Sequence, residues 1–308
     1  MFFEGTGSLN ISSNYDGITS KDDLTFLSGT YEIKSDDDGI RGKESVTIKD
    51  GNFTINAKSN GIKTTNETEK GEIVIEKGTF NINTTLDGIQ SISTLAIQDG
   101  TFAIKTTGST NNSSAKALKA EKNIAINGGQ FNLTTTDDSI HSNTNIVINK
   151  GTFTINSNDD GIHANGMVNL KSGTINITGS EGIEGTYIKI EDGKINIEAS
   201  DDGINATNKS KNYTATVEIN GGNITIKMGG GDIDAIDSNG NLYITGETID
   251  ITAQSPFDYD GDSKFTGGTV TVNGEKVETL TNQMMGGPGG MNNGAPQGRI
   301  SEGDRPNR

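Results

Sequence analysis

The 308-residue sequence contains no cysteine, no tryptophan and only four prolines, and aromatic residues make up 5% of it. Without cysteine there is neither a disulfide nor a thiolate metal centre, and the cysteine count gives no help in choosing a compartment. Without tryptophan, sugar rings cannot stack on an indole platform. Arginine is scarce, with Arg41 in the body and Arg299, Arg305 and Arg308 in the tail. At a net charge of −16 this leaves no basic stripe for a phosphate backbone, which excludes nucleic acid as a partner. No apolar run approaches the ~20 residues of a spanning helix, so no membrane insertion is expected. The opening MFFEGTGSLN also lacks the basic start and apolar core of a secretory signal. Two readings of that opening stand: a signal and earlier sequence lie outside this stretch, or the protein is cytoplasmic. The repeats described next favour the first, and with it an extracellular or cell-surface protein.

What is abundant is glycine, 42 residues of it, in a regular pattern. Gly, any residue, apolar, any residue, apolar recurs as GTYEI at Gly29, GNFTI at Gly51, GTFNI at Gly78, GTFAI at Gly100, GTFTI at Gly151 and onward to GTVTV at Gly268. A second apolar run precedes most of these glycines, such as VTI at Val46 and IVI at Ile146. A third element, the DGI corner, ends at Ile18, Ile40, Ile62, Ile89, Ile140, Ile162, Ile183 and Ile204, with Leu118 and Ile236 as looser members. Three short strands in a period near 22 residues, each with apolar residues two apart, predict an all-β single-stranded parallel β-helix of about 12 coils over residues 1–280. Phe53 and Ile55 then point inward, and Phe80 and Ile82 stack on them about 4.8 Å away. Polar insertions (TNETEKGE, GSTNNSSAK and TNKSKNYT) are outward loops. Residues 281–308, rich in Gly, Met and Pro, read as a disordered tail.

The corners carry more acid than a turn needs. Their glycine is expected at positive φ, with one Asp before it as a turn former. A second Asp stands at 37–38, 137–138, 159–160 and 201–202. Stacking brings carboxylates of adjacent coils within about 5 Å, where unit charges repel by roughly 3 to 4 kcal/mol at an effective dielectric near 20. Protonation, a lysine ladder or a hard cation could compensate, and no Lys or Arg stands beside these acids in a consistent register. Calcium, which takes about six to eight oxygens, is the expected cofactor. The first candidate ligands are Asp137, Asp138, Asp159 and Asp160, then Asp37, Asp38, Asp201 and Asp202. Asp87 and Glu181 at other corners, and Asp234, Asp258 and Asp260 in GGDIDAID and PFDYDGD, complete the set. His141 and His163 occupy equivalent positions one coil apart. They are candidates for a sugar hydroxyl or a transition metal, against the simpler reading of an ordinary surface stack.

The ordered series DDGIRGKESVTIKDGNFTI, DDSIHSNTNIVINKGTFTI, DDGIHANG, EGIEG, DDGINA and PFDYDG, followed by the Gly/Met-rich tail, closely resembles the bacterial carbohydrate-binding domain family. The resemblance covers nearly all of residues 1–280. It implies a secreted or cell-surface right-handed parallel β-helix, related in architecture to family 9 polysaccharide lyases, with calcium at acidic corners. It further implies binding of plant cell-wall polysaccharide, either an acidic pectin-type sugar or cellulose. The family usually has more coils ahead of the point where this sequence starts, so an amino-terminal cap is expected to be missing and a strand edge exposed.

Three functional classes follow. A calcium-dependent polysaccharide binder fits the charge, because ions held by Asp columns bridge to sugar carboxylates. Tyr213, in an insertion, and Tyr187, on an outward position, are its candidate ring platforms. A polysaccharide lyase would add a Lys or Arg base beside calcium, with Lys63, Lys119 and Arg41 as candidates because each follows its corner residue. The third class is a structural surface rod or adhesin. A monomer is expected in each case.

Overall fold

The structure is a computed structural model that describes residues 1–67, 70–108, 114–230, 233–246 and 248–282. Every element among the described residues is a strand. A typical coil contributes a six-residue strand such as Asn52–Ala57, a three-residue corner strand such as Ile62–Thr64, and a four-residue strand such as Glu72–Ile75. The long strands form a 13-stranded sheet, and the corner and short strands share a 21-stranded one. At Ile162–Leu170 and Ile183–Ile190 the corner and short strands run together without a break. Parallel pairing holds register from coil to coil: Phe53 faces Phe80, Phe80 faces Phe102, and Ile55 faces Ile82. The expected parallel solenoid, its period and its three strands per coil are therefore all present. The last parallel strand, Thr269–Val272, is closed off by the antiparallel Glu275–Val277. Residues 283–308, most of the expected tail, lie outside the described residues, as do the middles of the first two insertions.

The long strands form because Thr and Asn alternate with Phe and Ile. Residues Thr79–Thr84 read exposed, buried, exposed, buried along their length, the period of a sheet with one wet face. Inside, the rings of Phe53, Phe80, Phe102, Phe131 and Phe153 form a continuous column with centroids 4.5–5.1 Å apart and planes within 3° of parallel. Ile175, Ile195, Ile224 and Ile249 continue it toward the carboxyl end. At the other end Met1, Phe2, Leu9 and Tyr15 are the large apolar side chains left exposed among the described residues, and the edge of Ser8–Ser13 has a single neighbour.

Glycine plays two roles here, and one of them departs from the sequence reading. Positive φ falls at the glycines that open the long strands, such as Gly51 at 142° and Gly151 at 146°. The DGI glycines have no positive φ. They are needed because a Cβ on Gly39 would lie 2.6 Å from the Gly61 carbonyl oxygen and 2.5 Å from Ile55 Cγ2. The corner presses its backbone onto the next coil, and close approach is what excludes a side chain there. Ala117, Ser139 and Ala235 hold the same position in their coils and are fully buried, so a Cβ is admitted only where the neighbouring coil is shaped around it.

Replacing Phe102 with Ala should lower unfolding free energy by about 3–5 kcal/mol in urea titrations. Thr101→Ala, on the outward side of the same strand, should stay within about 0.5 kcal/mol.

Candidate functional site

The corner positions form one file along the rod: Asp16, Asp38, Asn60, Asp87, Lys116, Asp138, Asp160, Glu181, Asp202, Asp234 and Ser255. Two kinds of hydrogen bond set it. The N–H after each corner residue donates to the corner carbonyl of the following coil, as from Gly39 to Asn60 at 2.8 Å and from Gly161 to Glu181 at 3.0 Å. The corner side chain also accepts from the corner N–H of the following coil: Asp38 from Asn60 at 3.1 Å, Asp87 from Lys116 at 2.9 Å, and Asp202 from Asp234 at 3.1 Å. One carboxylate oxygen is thus spent on the ladder and the other stays available. In the doubled motifs the second acid is turned in and the first turned out, with Asp38, Asp138 and Asp160 buried and Asp37 and Asp159 exposed.

Beside this file runs a second, made by the residue after each corner isoleucine. Register places Thr19, Arg41, Lys63, Gln90, Lys119, His141, His163, Glu184, Asn205, Asp237 and Asp258 in sequence. Its charge passes from cationic through imidazole to anionic. The three lyase-base candidates and the two histidines therefore share one line.

In the middle of the stripe the carboxylates are neutralised by protein cations. Lys116 fills the corner position below the first doubled acids, and its ammonium lies 2.7 Å from Asp137 and 3.1 Å from Asp138. Oxygens of Asp137, Asp138 and Asp159 come within 4.8 Å of one another, whereas Asp160 groups instead with His163 and Glu184, and Lys116 pairs with two of those three acids. Asp138 also meets His141 Nδ1 at 2.7 Å and His163 Nδ1 at 3.4 Å. Burial would raise the Asp138 pKa, but those histidine hydrogen bonds and Lys116 outweigh it and hold the group well below the usual range. His163 Nδ1 further contacts Asp160 at 2.9 Å and Glu184 at 3.3 Å. Burial, which would lower its pKa, is overcome by these carboxylates, which push it up to about 10. Asp160, buried and next to Asp138, is raised. Lys209 reaches down from the third insertion to pair with Glu184 and lies 3.2 Å from His163 Nε2.

Toward the carboxyl end the compensation stops. Among the described residues no lysine, arginine or histidine pairs with Asp202, Asp237 or Asp258. Burial first, then Asp202, Asp258, Asp234 and Asp260, push the Asp237 pKa up to about 7. Burial and the acids Asp201, Asp234 and Glu184 raise Asp202 to about 6. Glu181 is raised too, by burial and by Asp160, Glu184 and Asp202. Asn205 stands in this stretch, 7% exposed, with Nδ2 committed to Glu181 Oε2 at 3.0 Å and Oδ1 buried without a donor. These are oxygen donors of the kind a hard cation takes, while the acids that bring oxygens within 4.8 Å of one another among the described residues lie elsewhere on the stripe. At the amino end Asp16, Asp37 and Asp38 also converge within 4.8 Å, with Asp16 Oδ1 buried and unpartnered, but Arg41 pairs with Asp16 at 2.5 Å. Asp87 is buried and accepts from Ser114 at 2.7 Å, while Asp260 is exposed.

Tyr187 and Tyr213 are brought together away from the corner stripe, beside the short strands, with ring centroids 6.1 Å apart. Tyr213 donates to Asn145 Oδ1 at 3.2 Å, and Tyr187 donates to Glu218. One insertion thus supplies Lys209 to the stripe and Tyr213 to this pair. Sequence reasoning missed Lys116, Glu184, Asn205, Lys209 and Asp237. Extending the DGI alignment by one column would have found Glu184, Asn205 and Asp237, and taking Leu118 as a full corner would have found Lys116. Nothing local marks Lys209.

A family model described as carbohydrate-binding domain-containing protein matches residues 1–161 and 156–284. No curated protein matches the chain. Among solved structures, the polysaccharide lyase-like protein from C. thermocellum, as its gadolinium derivative, is 17% identical over 86% of this chain and 95% of that one, with a TM-score of 0.40.

Lys116→Met should cost about 3–5 kcal/mol in denaturant unfolding, because it strands buried charge, and adding Asp138→Asn should recover part of the loss. Raised pKa values at Asp202 and Asp237 mean that the folded chain holds protons which unfolding releases. Their stabilising contribution is complete below the ordinary carboxylate value of 3.8 and is lost as pH rises toward about 7. In chelator, the thermal midpoint of Asp237→Asn should therefore fall less than that of the parent between those limits.

Proposed function

This chain belongs to the family of carbohydrate-binding domain-containing proteins, and on that premise we propose that it binds polysaccharide along the corner stripe with the help of calcium. The observation that carries the reading is the carboxyl-terminal part of the stripe, where Asp237 feels the charges of Asp202 and Asp258, none of the three has a cationic partner among the described residues, and Asn205, in register with Asp237, has a buried oxygen without a donor. Asp202, Asn205 and Asp237 would hold the ion, with Asp234 and Asp258 beside them. All are oxygen donors, as a hard divalent cation requires. A bound ion supplies positive charge that faces outward to sugar carboxylates and hydroxyls, so a chain of net charge −16 can hold an acidic polymer. The reading therefore favours an acidic, pectin-type polysaccharide over a neutral one, outside the cell where such polymers occur. Tyr187 and Tyr213 offer a small ring platform on the adjoining face.

A lyase would use the same stripe, with a base from the cationic half of the second file. Arg41 and Lys119 are engaged by Asp16 and by Glu121 and Asp87 respectively, which leaves Lys63 as the base candidate. Unsaturated, ultraviolet-absorbing product from polygalacturonate would establish that activity.

Calcium at about a hundred times its Kd should add about 2.7 kcal/mol of stability and increase retention on polygalacturonate. Asp202→Asn with Asp237→Asn should abolish both effects while leaving the metal-free protein folded. If calcium changes neither melting nor retention of the parent chain, the ion-dependent reading is wrong.

A further inference from the structure

We propose that Lys63 is the centre of a metal-independent anion site that takes a uronate carboxylate directly; the proposal rests on the polysaccharide-binding reading and adds to it a second mode of recognition. The argument starts from how cations in the second file are used. Arg41 reaches back one coil to the corner acid Asp16, at 2.5 Å, and Lys119 reaches back to Asp87, at 3.9 Å, and sideways to Glu121, at 3.4 Å. By the same offset Lys63 would meet Asp38. It forms no such pair: Asp38 is served instead by Asn60, whose Nδ2 donates to Asp38 Oδ1 at 2.8 Å and whose backbone N–H donates to the same oxygen at 3.1 Å. Asn60 Oδ1 in turn accepts from the Asp87 N–H at 3.1 Å.

Asp87, in the following coil, accepts through Oδ1 from the Ser114 hydroxyl at 2.7 Å and the Lys116 N–H at 2.9 Å, and its Oδ2 faces Lys119 at 3.9 Å. The coil of Lys63 has also given up both corner acids, with Ser59 and Asn60 where other coils write Asp-Asp. The result is a half-buried ammonium, without an ion pair or hydrogen bond among the described residues, in the one stretch of the stripe whose outward file reads Arg41, Lys63, Gln90, Lys119. These positions follow one another at about 4.8 Å. A polyuronate lying along the rod would place a carboxylate on Lys63, with the Gln90 amide beside it for a hydroxyl or the second carboxylate oxygen. An ammonium to carboxylate hydrogen bond is of the stronger, charge-assisted kind, and its position fixes which part of an acidic polymer meets the amino-terminal coils.

The test compares the full chain with Lys63→Gln and Lys63→Arg, titrating an oligogalacturonide in chelator and, separately, in calcium. The parent should bind in chelator with an affinity that falls with salt. Lys63→Gln should lose about tenfold of that chelator-resistant affinity, Lys63→Arg should keep most of it, and all three should melt at the same temperature. Equal binding by Lys63→Gln and the parent in chelator would overturn the proposal. So would a parent that binds in calcium and not at all in chelator, an outcome that leaves the calcium reading intact. Absence of binding in both conditions would overturn the two together.

Discussion

The corner hydrogen bond between successive coils is the constraint on which the rest of this molecule depends. An N–H placed one residue after each corner side chain donates to the corner carbonyl of the following coil, for example from Gly61 to Asp87 at 2.9 Å. That contact needs a backbone approach so close that most coils carry glycine there. Once it is made, register is fixed on all three sides of the coil. The inward Phe column and the outward acidic file are two results of one pairing rule, seen from opposite faces of the same backbone.

Stacking acids at strand spacing raises the energy of the folded state, and the stripe offsets that cost differently along its length. At the amino end Arg41 and the Asn60 amide serve the corner acids. In the middle Lys116, His141, His163 and Lys209 form a buried network with Asp138, Asp160 and Glu184. Toward the carboxyl end no lysine, arginine or histidine among the described residues pairs with Asp202 or Asp237, and burial with neighbouring acids raises the pKa of both instead. The chemistry of the stripe thus changes along the rod while its geometry stays constant. That separation of scaffold from chemistry is what a solenoid permits, since each coil contacts only its neighbours.

Outside the stripe, the long strands present Thr and Asn outward, knitted by amide bonds such as Asn83 to Asn56 at 3.3 Å and Asn196 to Asn176 at 2.7 Å. The insertion between Ala206 and Thr216 is the clearest departure from regularity, and it acts at two places. Lys209 neutralises Glu184 on one side, and Tyr213 crosses to Tyr187 and Asn145 on the other.

The amino-acid order by itself determined the solenoid, its period, the inward identity of Phe53, Phe80 and Phe102, and the vertical alignment of the corner acids, because period-two alternation and a fixed repeat are local properties of the text. The positive φ was legible as a property of glycine but assigned to the wrong one, since Gly39 and Gly51 look alike until the neighbouring coil shows which of them faces a carbonyl. Tertiary structure alone decided which acids are compensated. Lys116 answers Asp138 from one coil away, Lys209 answers Glu184 across 25 residues and approaches His163 across 46, and Lys63 is left without a partner among the described residues while Asn60 serves Asp38. Countercharge is a matter of distances of a few ångströms between segments far apart in sequence, and those distances exist only once the coils are stacked.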